Sequence, residues 1–528
     1  MRGPLGSKKA ADSPSATLTV HAELRPANMC RPRAPLVAIV CSGSRGDCQP
    51  FIALALELKG MGMGIKFYID EEMLDIFVPF IPRDELFLLA HSKMQSYIRY
   101  NPEVRDCMAT VDFLTFLRLL NSKAMLDVMV LDAKDLLRDA QESQPQLIVY
   151  NSCACFQGAA VAEALEIPSV MVTMQMMVAV SSKEAPPMLV SPEVKRFMPG
   201  CLIRLSWILL RALYARSEMI KHMDSEFRCK SLGVQPLTIS QIKKLLFGRS
   251  PGCSVIVARS PLLSPPPDDW SDKDKRCITG ALVLSREQQL EAWPVSVVLR
   301  AFLAGGDESN RPVYFGWGSM TAGSPARMVE LAVRAVKAVD RRAVILAGWA
   351  QLSLAELKDC QADDVDDLVA YAEANIHFLS EDSVPHEWLF PQMAALVHHG
   401  GAGTTASALR SGVPSIITPC AFDQPEVAEK VEKAGVGIRE QQFHRLTAKA
   451  LTIALKRALS DTGMRDRAAA FGQQLCQEAG ATAAALHVKQ RLKAGTYNTD
   501  GRRAYRGSNL APEAPEQSST APLLCPSK

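Results

Sequence analysis

Residues 397–417 read VHHGGAGTTASALRSGVPSII: two histidines, three glycines and a threonine pair stand between an apolar run and a helix-forming one. Small residues at such a turn let the backbone approach a ligand, and the N–H groups of the first helical turn, together with the helix dipole, favour an anion. A phosphate or diphosphate suits that chemistry, with Thr404, Thr405 and His399 adding neutral donors. No Gly-Lys-Ser/Thr follows, so this is not a Walker A loop, and it lacks the spaced GxGxxG of nicotinamide enzymes. The alternative is that the glycines serve only tight strand-to-helix packing and the histidines merely end a strand. Zinc is disfavoured and no metal is expected: successive strand residues point to opposite faces, so His398 and His399 diverge, and no Cys or carboxylate stands at ligand spacing.

Two further loops hold chemistry. In TPCAFDQPE, Asp423 beside Gln424 joins a carboxylate to a carboxamide, a pair able to hold vicinal hydroxyls of a sugar; equally, Asp423 would serve as the N-cap of the helix that follows. In CSGSRGDCQP, Asp47 stands two residues from Arg45 and just before a helix begun by Gln49 and Pro50. A carboxylate facing a cleft accepts a proton from an attacking hydroxyl when partial burial raises its pKa, and a close Arg45 would lower it again. An N-cap aspartate is the alternative here too.

Such loops need strands behind them and helices after them. Residues 35–69 read as a buried strand over 36–41, a glycine-containing loop, an apolar-periodic helix over 49–58 and a strand over 65–69, a βαβ unit. The pattern recurs at 144–172, where strands over 147–150 and 169–172 flank a helix. A stretch rich in Pro, Ser and Asp (249–280) embeds one apolar strand over 255–258, and then the grammar returns with strands at PVYFG, AVILAG, NIHFL, AALVHHG and PSIITP and helices over 325–339, after Gly403 and from Gln424. The prediction is an α/β protein of two Rossmann-like lobes whose parallel sheets face a central cleft, with ligands at the strand carboxyl ends. The expected domains are a disordered tail over 1–33, a first lobe over 34–245, a linker over 246–280, a second lobe over 281–495 and a disordered tail over 496–528. A helical stretch over 463–492 is long enough to reach back across both lobes. Residues 197–230 read as an amphipathic helix with a basic side, either packed with a solvated face or in contact with a membrane.

Composition narrows the partners. With 528 residues, 48% hydrophobic, the chain can bury two or three cores, and 59 basic against 56 acidic residues spread along its length leave no field to draw nucleic acid. The 14 cysteines include no CxxC and read as reduced thiols of a cytoplasmic protein. No apolar run approaches the roughly 18–20 residues that span a bilayer. The N-terminus lacks the pattern of a secretory leader, while its scarcity of acids before Pro35 also fits a transit sequence.

The run SVPHEWLFPQMAALVHHGGAGTTASALRSGVP followed by DQP, with GSRGDCQPFIALALELK in the other lobe, resembles the GT-B glycosyltransferases. It is most similar to the sterol 3-beta-glucosyltransferases and their bacterial relatives that glycosylate antibiotics. YFGWGSM, ILAGWA and RSPGCSVIVARSPLLSPPPDDW add to a likeness covering about residues 35–490. The resemblance implies a nucleotide-sugar donor on the second lobe and an acceptor on the first. It implies that His399, Gly401, Gly403, Thr404 and Thr405 hold the diphosphate, that Ser319 adds a phosphate contact, that Val384 and His386 border the uracil, and that Asp423 and Gln424 hold the hexose. Ser44, Arg45 and Asp47 would close the site, with Asp47 as the base. Two departures reshape the pocket: Cys420, Ala421 and Phe422 replace the relatives' Phe-Phe-Gly, and Ala281, Leu282 and Val283 replace an aromatic-rich Tyr-Trp-Phe. The methionine-rich segment 173–187 is either a flexible apolar wall or ordinary core.

The resulting expectation is a metal-independent, inverting transferase that needs no cofactor and moves glucose from UDP-glucose to the hydroxyl of a sterol-like lipid. It would be cytoplasmic and in transient contact with a membrane surface. A same-fold enzyme acting on a polyketide or other soluble small molecule, and a non-catalytic nucleotide-sugar-binding protein, are the alternatives.

Overall fold

Continuous apolar strands are stable only when covered on both faces, and they dominate both halves of this chain. Five of the six residues of β1 (Leu36–Cys41) are buried, and every residue of the later strands Leu147–Asn151 and Ser169–Thr173 is buried. The structure, a computed structural model, describes residues 34–494 apart from 92, 111–114, 116–117, 120, 176–179, 187–188, 272–277, 308–309, 322 and 380–383. The tails expected over 1–33 and 496–528 lie outside the described residues.

The first sheet comprises β1, β2 (Gly64–Asp70), β3 (Leu86–Leu89), β4 (Leu147–Asn151), β5 (Ser169–Thr173) and β6 (Cys253–Val257), in the order β3-β2-β1-β4-β5-β6. The second comprises β7 (Val313–Gly316), β8 (Ala343–Leu346), β9 (Ile376–Leu379), β10 (Ala395–His398), β11 (Ser415–Ile417) and β12 (Gly437–Arg439), in the order β12-β11-β10-β7-β8-β9. Every pairing is parallel, as the alternation of helix and strand predicted. Counted from its own first strand, each sheet has the order 3-2-1-4-5-6, so the winding reverses once in each: between β1 and β4, and between β7 and β10. Helices leave to opposite faces there and open a crevice above the strand carboxyl ends. The chemistry-bearing loops occupy those two crevices.

The helices that shape the crevices are α1 (Arg45–Gly60), α2 (Lys123–Ser143), α3 (Cys155–Ala164), α4 (Gly200–Ala215), α5 (Pro325–Lys337), α6 (Ala402–Arg410), α7 (Gln424–Lys433), α8 (Ala448–Ser460), α9 (Thr462–Cys476) and α10 (Gly480–Ala494). Three boundaries differ from the sequence reading. The stretch 246–280 is not wholly a linker, because β6 lies inside it and completes the first sheet, pairing from Ser169↔Cys253 to Thr173↔Val257. The apolar run of β6 is legible in the sequence, whereas its pairing depends on an edge that only the folded sheet offers. The helix expected over 463–492 breaks into α9 and α10, and Ala484, Ala485 and Val488 of α10 enter the first lobe's core beside Ile52 and Leu54. The last described helix therefore belongs to the first lobe and not to the second. Finally, α1 begins at Arg45 rather than Gln49, which draws Asp47 into its first turn.

Because Val488 is fully buried on α10, Val488→Asp places a carboxylate with no partner in the first lobe's core. We expect a loss of about 3 kcal/mol or more, with hydrogen exchange rising first in α10 and α1. Exchange changes confined to the second lobe would contradict the assignment of α10 to the first.

Candidate active site

A cavity of about 1330 Å³ lies between the two crevices and takes its walls from both lobes. Of the thirteen residues singled out in the sequence, twelve line it: Ser44, Arg45, Asp47, Ser319, Val384, His386, His399, Gly401, Gly403, Thr404, Asp423 and Gln424. Thr405 does not. It bounds a separate cavity of about 50 Å³ with Ala258, Arg259 and Leu475, and its buried hydroxyl has no partner among the described residues. Adjacent positions on a helix point about 100° apart, so Thr404 and Thr405 cannot both face one ligand.

On the second lobe the wall is built by the turn between β10 and α6. Gly400 has φ +92°, and a Cβ there would stand 2.8 Å from Ile417 Cγ2. A Cβ on Gly401 would overlap the His399 ring, and one on Gly318 (φ +58°) would come within 3.1 Å of His399 Cε1, so the imidazole is wedged between two glycines. At Gly403 an added Cβ meets nothing within 4 Å, which marks the open side of the turn. The first closing bond of α6 runs from the Thr405 N–H to the Gly401 carbonyl at 2.9 Å, and the N-cap Gly401 has no side chain to offer. The N–H groups of Ala402, Gly403 and Thr404 are thus left for the cavity, at the positive end of the helix dipole.

The neighbouring histidines are uncharged at neutral pH. Burial holds His399 down to about 4. Burial, then the charge of Arg45, holds His386 to about 3, and burial with the neighbouring imidazoles holds His398 to about 3. His386 stacks on Phe390 with ring centroids 4.4 Å apart. His398 turns away from the cavity, and its Nδ1 accepts the Gly400 N–H at 3.2 Å. Among the described residues no three His, Cys, Asp or Glu side chains converge as metal ligands.

After β11, Asp423 occupies the N-cap position of α7 without bonding the helix's N–H groups, so the capping alternative does not account for it. Its half-buried carboxylate is pushed up to about 6, chiefly by burial; Arg259 opposes the shift, while Glu426 and Asp47 add to it. Gln424 is already engaged: its Oε1 accepts the Cys420 and Ala421 N–H groups at 2.8 and 3.1 Å, leaving only the NH2, 3.4 Å from Met320 Sδ. Cys420 and Ala421 thereby hold the turn through their backbones, and Phe422 (φ +58°) lines the cavity.

On the first lobe Ser44, not Asp47, is the N-cap of α1. Asp47 Oδ2 accepts the Ser44 N–H at 2.9 Å and the Ser44 hydroxyl at 2.8 Å, while Oδ1 accepts no bond from a described residue. Burial raises the Asp47 pKa against those two bonds. Arg45 does not reverse this, because its guanidinium lies over the Trp293 ring, 4.7 Å from the centroid, and its Nε bonds Gln49.

The sequence reading missed two residues that fix this loop. Buried Asn151, at the end of β4, donates to the Ser42 carbonyl at 2.7 Å and accepts the Ala154 N–H at 2.9 Å. Asp70, at the end of β2, accepts the Ser42 hydroxyl at 2.8 Å, and burial pushes it up to about 6. The available signal was a polar residue closing an otherwise apolar strand, in LIVYN and GIKFYID. Beyond the loop the cavity continues into a mainly apolar arm with Leu136, Phe156, Leu210, Leu213, Met219 and Phe247 on its wall, alongside Asp132, Arg216 and Glu218. Met174 lines it too, while residues 176–179 of the methionine-rich segment lie outside the described residues.

Residues 345–494 match the family model for the erythromycin biosynthesis protein CIII-like C-terminal domain. The chain is 29% identical over 460 residues to a sterol 3-beta-glucosyltransferase of Neurospora crassa, covering 85% of this chain and 27% of that protein. It is 24% identical over 485 residues to the UDP-sugar-dependent glycosyltransferase 52 of Dictyostelium discoideum, covering 89% and 27%. The chain thus spans about a quarter of the length of these relatives. Among solved structures, the glycosyltransferase of kitacinnamycin superimposes with a TM-score of 0.59 at 20% identity, over 87% of this chain and all of that one. The glycosyltransferase VinC in complex with DTDP gives 0.54 at 18% identity.

Burial of Asp423 has a consequence for stability. Its pKa of about 6 in the folded chain exceeds the ordinary carboxylate value, so the folded state binds the proton more tightly than the unfolded state and ionisation destabilises it. Asp423→Asn is expected to stabilise the protein by about 1–3 kcal/mol above neutral pH, with the gain shrinking as pH falls through about 6. Calorimetric Tm values across that range check the sign, and a lowered Tm at alkaline pH would show that attraction to Arg259 outweighs burial.

Proposed function

We propose that this chain, whose two lobes have the fold of the GT-B glycosyltransferases, moves glucose from UDP-glucose to the hydroxyl of a sterol-like lipid, with inversion and without a metal ion. The observation that carries the reading is the opposition of two groups across one cavity: the uncapped head of α6 on the second lobe and the half-buried Asp47 carboxylate on the first. The names of the relatives support the choice of donor and acceptor, and the apolar arm beside Asp47 suits a hydrophobic acceptor.

In this reaction the acceptor oxygen attacks the anomeric carbon from the Asp47 side, and its proton passes to the carboxylate. The bond from that carbon to the diphosphate oxygen breaks, and UDP leaves with the electron pair. Attack and departure on opposite faces invert the carbon. Ser44 anchors Asp47 Oδ2 and orients the other oxygen for the proton. Charge growing on the diphosphate meets the N–H groups of Ala402, Gly403 and Thr404, with His399 and Ser319 as neutral donors; one preorganised donor of this kind contributes about 3 kcal/mol. Asp423 and the Gln424 NH2 face the hexose hydroxyls. Val384 and His386 border the base. The reaction is placed at the cytosolic face of a membrane, where such an acceptor resides.

Mass spectrometry of products formed from UDP-glucose and a mixed lipid extract tests the reading. A steryl glucoside supports it; a glycosylated soluble compound, or donor binding with no product, overturns it.

Asp47→Asn preserves the shape of the loop and is expected to lower turnover by about 10²–10⁴. Since burial raises Asp47, the acid limb of the rate profile should lie above the ordinary carboxylate range and vanish in the variant. Near-normal turnover with an unchanged profile would exclude Asp47 as the base.

Calorimetry in excess EDTA should find UDP still bound. Gly403→Ala adds a methyl where the chain leaves open space, so UDP affinity should fall about tenfold or more while Tm holds or rises, Ala being the better helix former. Undiminished binding in the variant would place the diphosphate elsewhere.

A further inference from the structure

α4 is apolar on two sides, one packed and one exposed. Ile203, Trp207 and Leu210 pack inward against Ala185 and Val190. The outer side carries Leu202 (46% exposed), Leu205 (54%), Leu209 (52%) and Leu213 (53%), and Phe197 just before the helix is 83% exposed. A helix apolar all round is ordinarily covered, and a contiguous exposed apolar stripe marks an interaction surface. No described element covers this one.

Two features identify what does. Residues 194–217 contain five cations and no acidic residue; Lys195 is ion-paired with Glu184 and Arg211 lies over the Phe247 ring, while Arg196, Arg216 and Arg204, the last beside Asp269, remain exposed. The stripe is also continuous with the cavity mouth, for Leu213 and Leu189 are exposed and line the apolar arm, while Leu210 on the next turn lines it from within. We propose that this face of α4, with Phe197, docks on an anionic lipid bilayer and delivers the lipid acceptor through the mouth beside Leu189 and Leu213. The proposal deepens the function argued above and rests on its lipid acceptor. A protein seated on the same stripe would close the mouth, whereas a bilayer is the phase that holds the acceptor. At sixteen residues α4 is about 24 Å long, short of the roughly 30 Å hydrocarbon core. It therefore lies in the interface with its leucines down and its cations at headgroup level.

Co-sedimentation of the full chain with vesicles of phosphatidylcholine, alone or with about 30% phosphatidylserine, tests this. Wild type is expected to partition onto the anionic vesicles about tenfold better, and to lose that preference as salt is raised. Leu205→Glu/Leu209→Glu, at exposed positions off the cavity, should lower partitioning at least about tenfold while Tm and UDP affinity hold. Arg196→Glu/Arg204→Glu should abolish only the anionic preference. Wild type that ignores both vesicles overturns the proposal, as does equal vesicle binding by the leucine variant. A dimer in solution that the leucine variant splits overturns it in favour of a second copy on the stripe. Steryl glucoside made from detergent-dispersed sterol without vesicle binding leaves the proposed function standing and removes the surface; vesicle binding without any sterol product does the reverse.

Discussion

Three backbone N–H groups at the head of α6 have no partner in the described chain, and the rest of the second lobe is arranged so that they stay bare and aimed. Ordinarily Ser, Asp or Asn caps such an end. Here Gly401 stands at the cap, Gly400 takes a backbone angle closed to most residues, and the His399 ring fills the space that the missing side chains of Gly401 and Gly318 leave. Because burial keeps His386, His398 and His399 neutral, the positive potential at this end comes from the helix itself rather than from titrating side chains. Its strength is therefore insensitive to pH near neutrality, which suits a site for a diphosphate.

The first lobe meets this potential with a carboxylate. Asp47 is held by Ser44, the Ser42–Asp47 loop by Asn151 and Asp70, and those two by the ends of β4 and β2. The chain of contacts runs from sheet to carboxylate without a flexible link. Asp423 and Asp47 line the same cavity, Asp47 adds a little to the shift on Asp423, and burial acts on both in the same direction. Two carboxylates sharing a desolvated cleft make the empty site less stable than a neutral one would be. Ligand hydroxyls that bond to them relieve that cost.

The two sheets share one strand order, yet their surroundings have diverged. In the second lobe short loops and glycines bring backbone to the cavity wall. In the first, the long excursion between β5 and β6 supplies α4, Met219 and Phe247, which form an apolar arm and an apolar outer stripe. The backbone-lined part and the apolar part of the cavity wall are thereby divided between lobes.

The α/β class, most strand positions, and the gathering of the three loops at one cavity were legible in the sequence, because buried parallel strands read as continuous apolar runs and loops at the carboxyl ends of parallel strands meet in a crevice. Twelve of the thirteen chosen residues share one cavity for that reason. Other features depended on contacts between segments far apart in the chain. β6 joins the first sheet because β5 offers it an edge, and α10 joins the first lobe because Ile52 and Leu54 leave a surface for Ala484 and Val488. Thr405 is turned away by the angle of one helix, Gln424 is occupied by backbone its own turn folds back, and Arg45 leaves Asp47 for the ring of Trp293. Local pattern determines which groups are present at a turn, whereas packing of the whole chain decides which way each one points and what charge it carries.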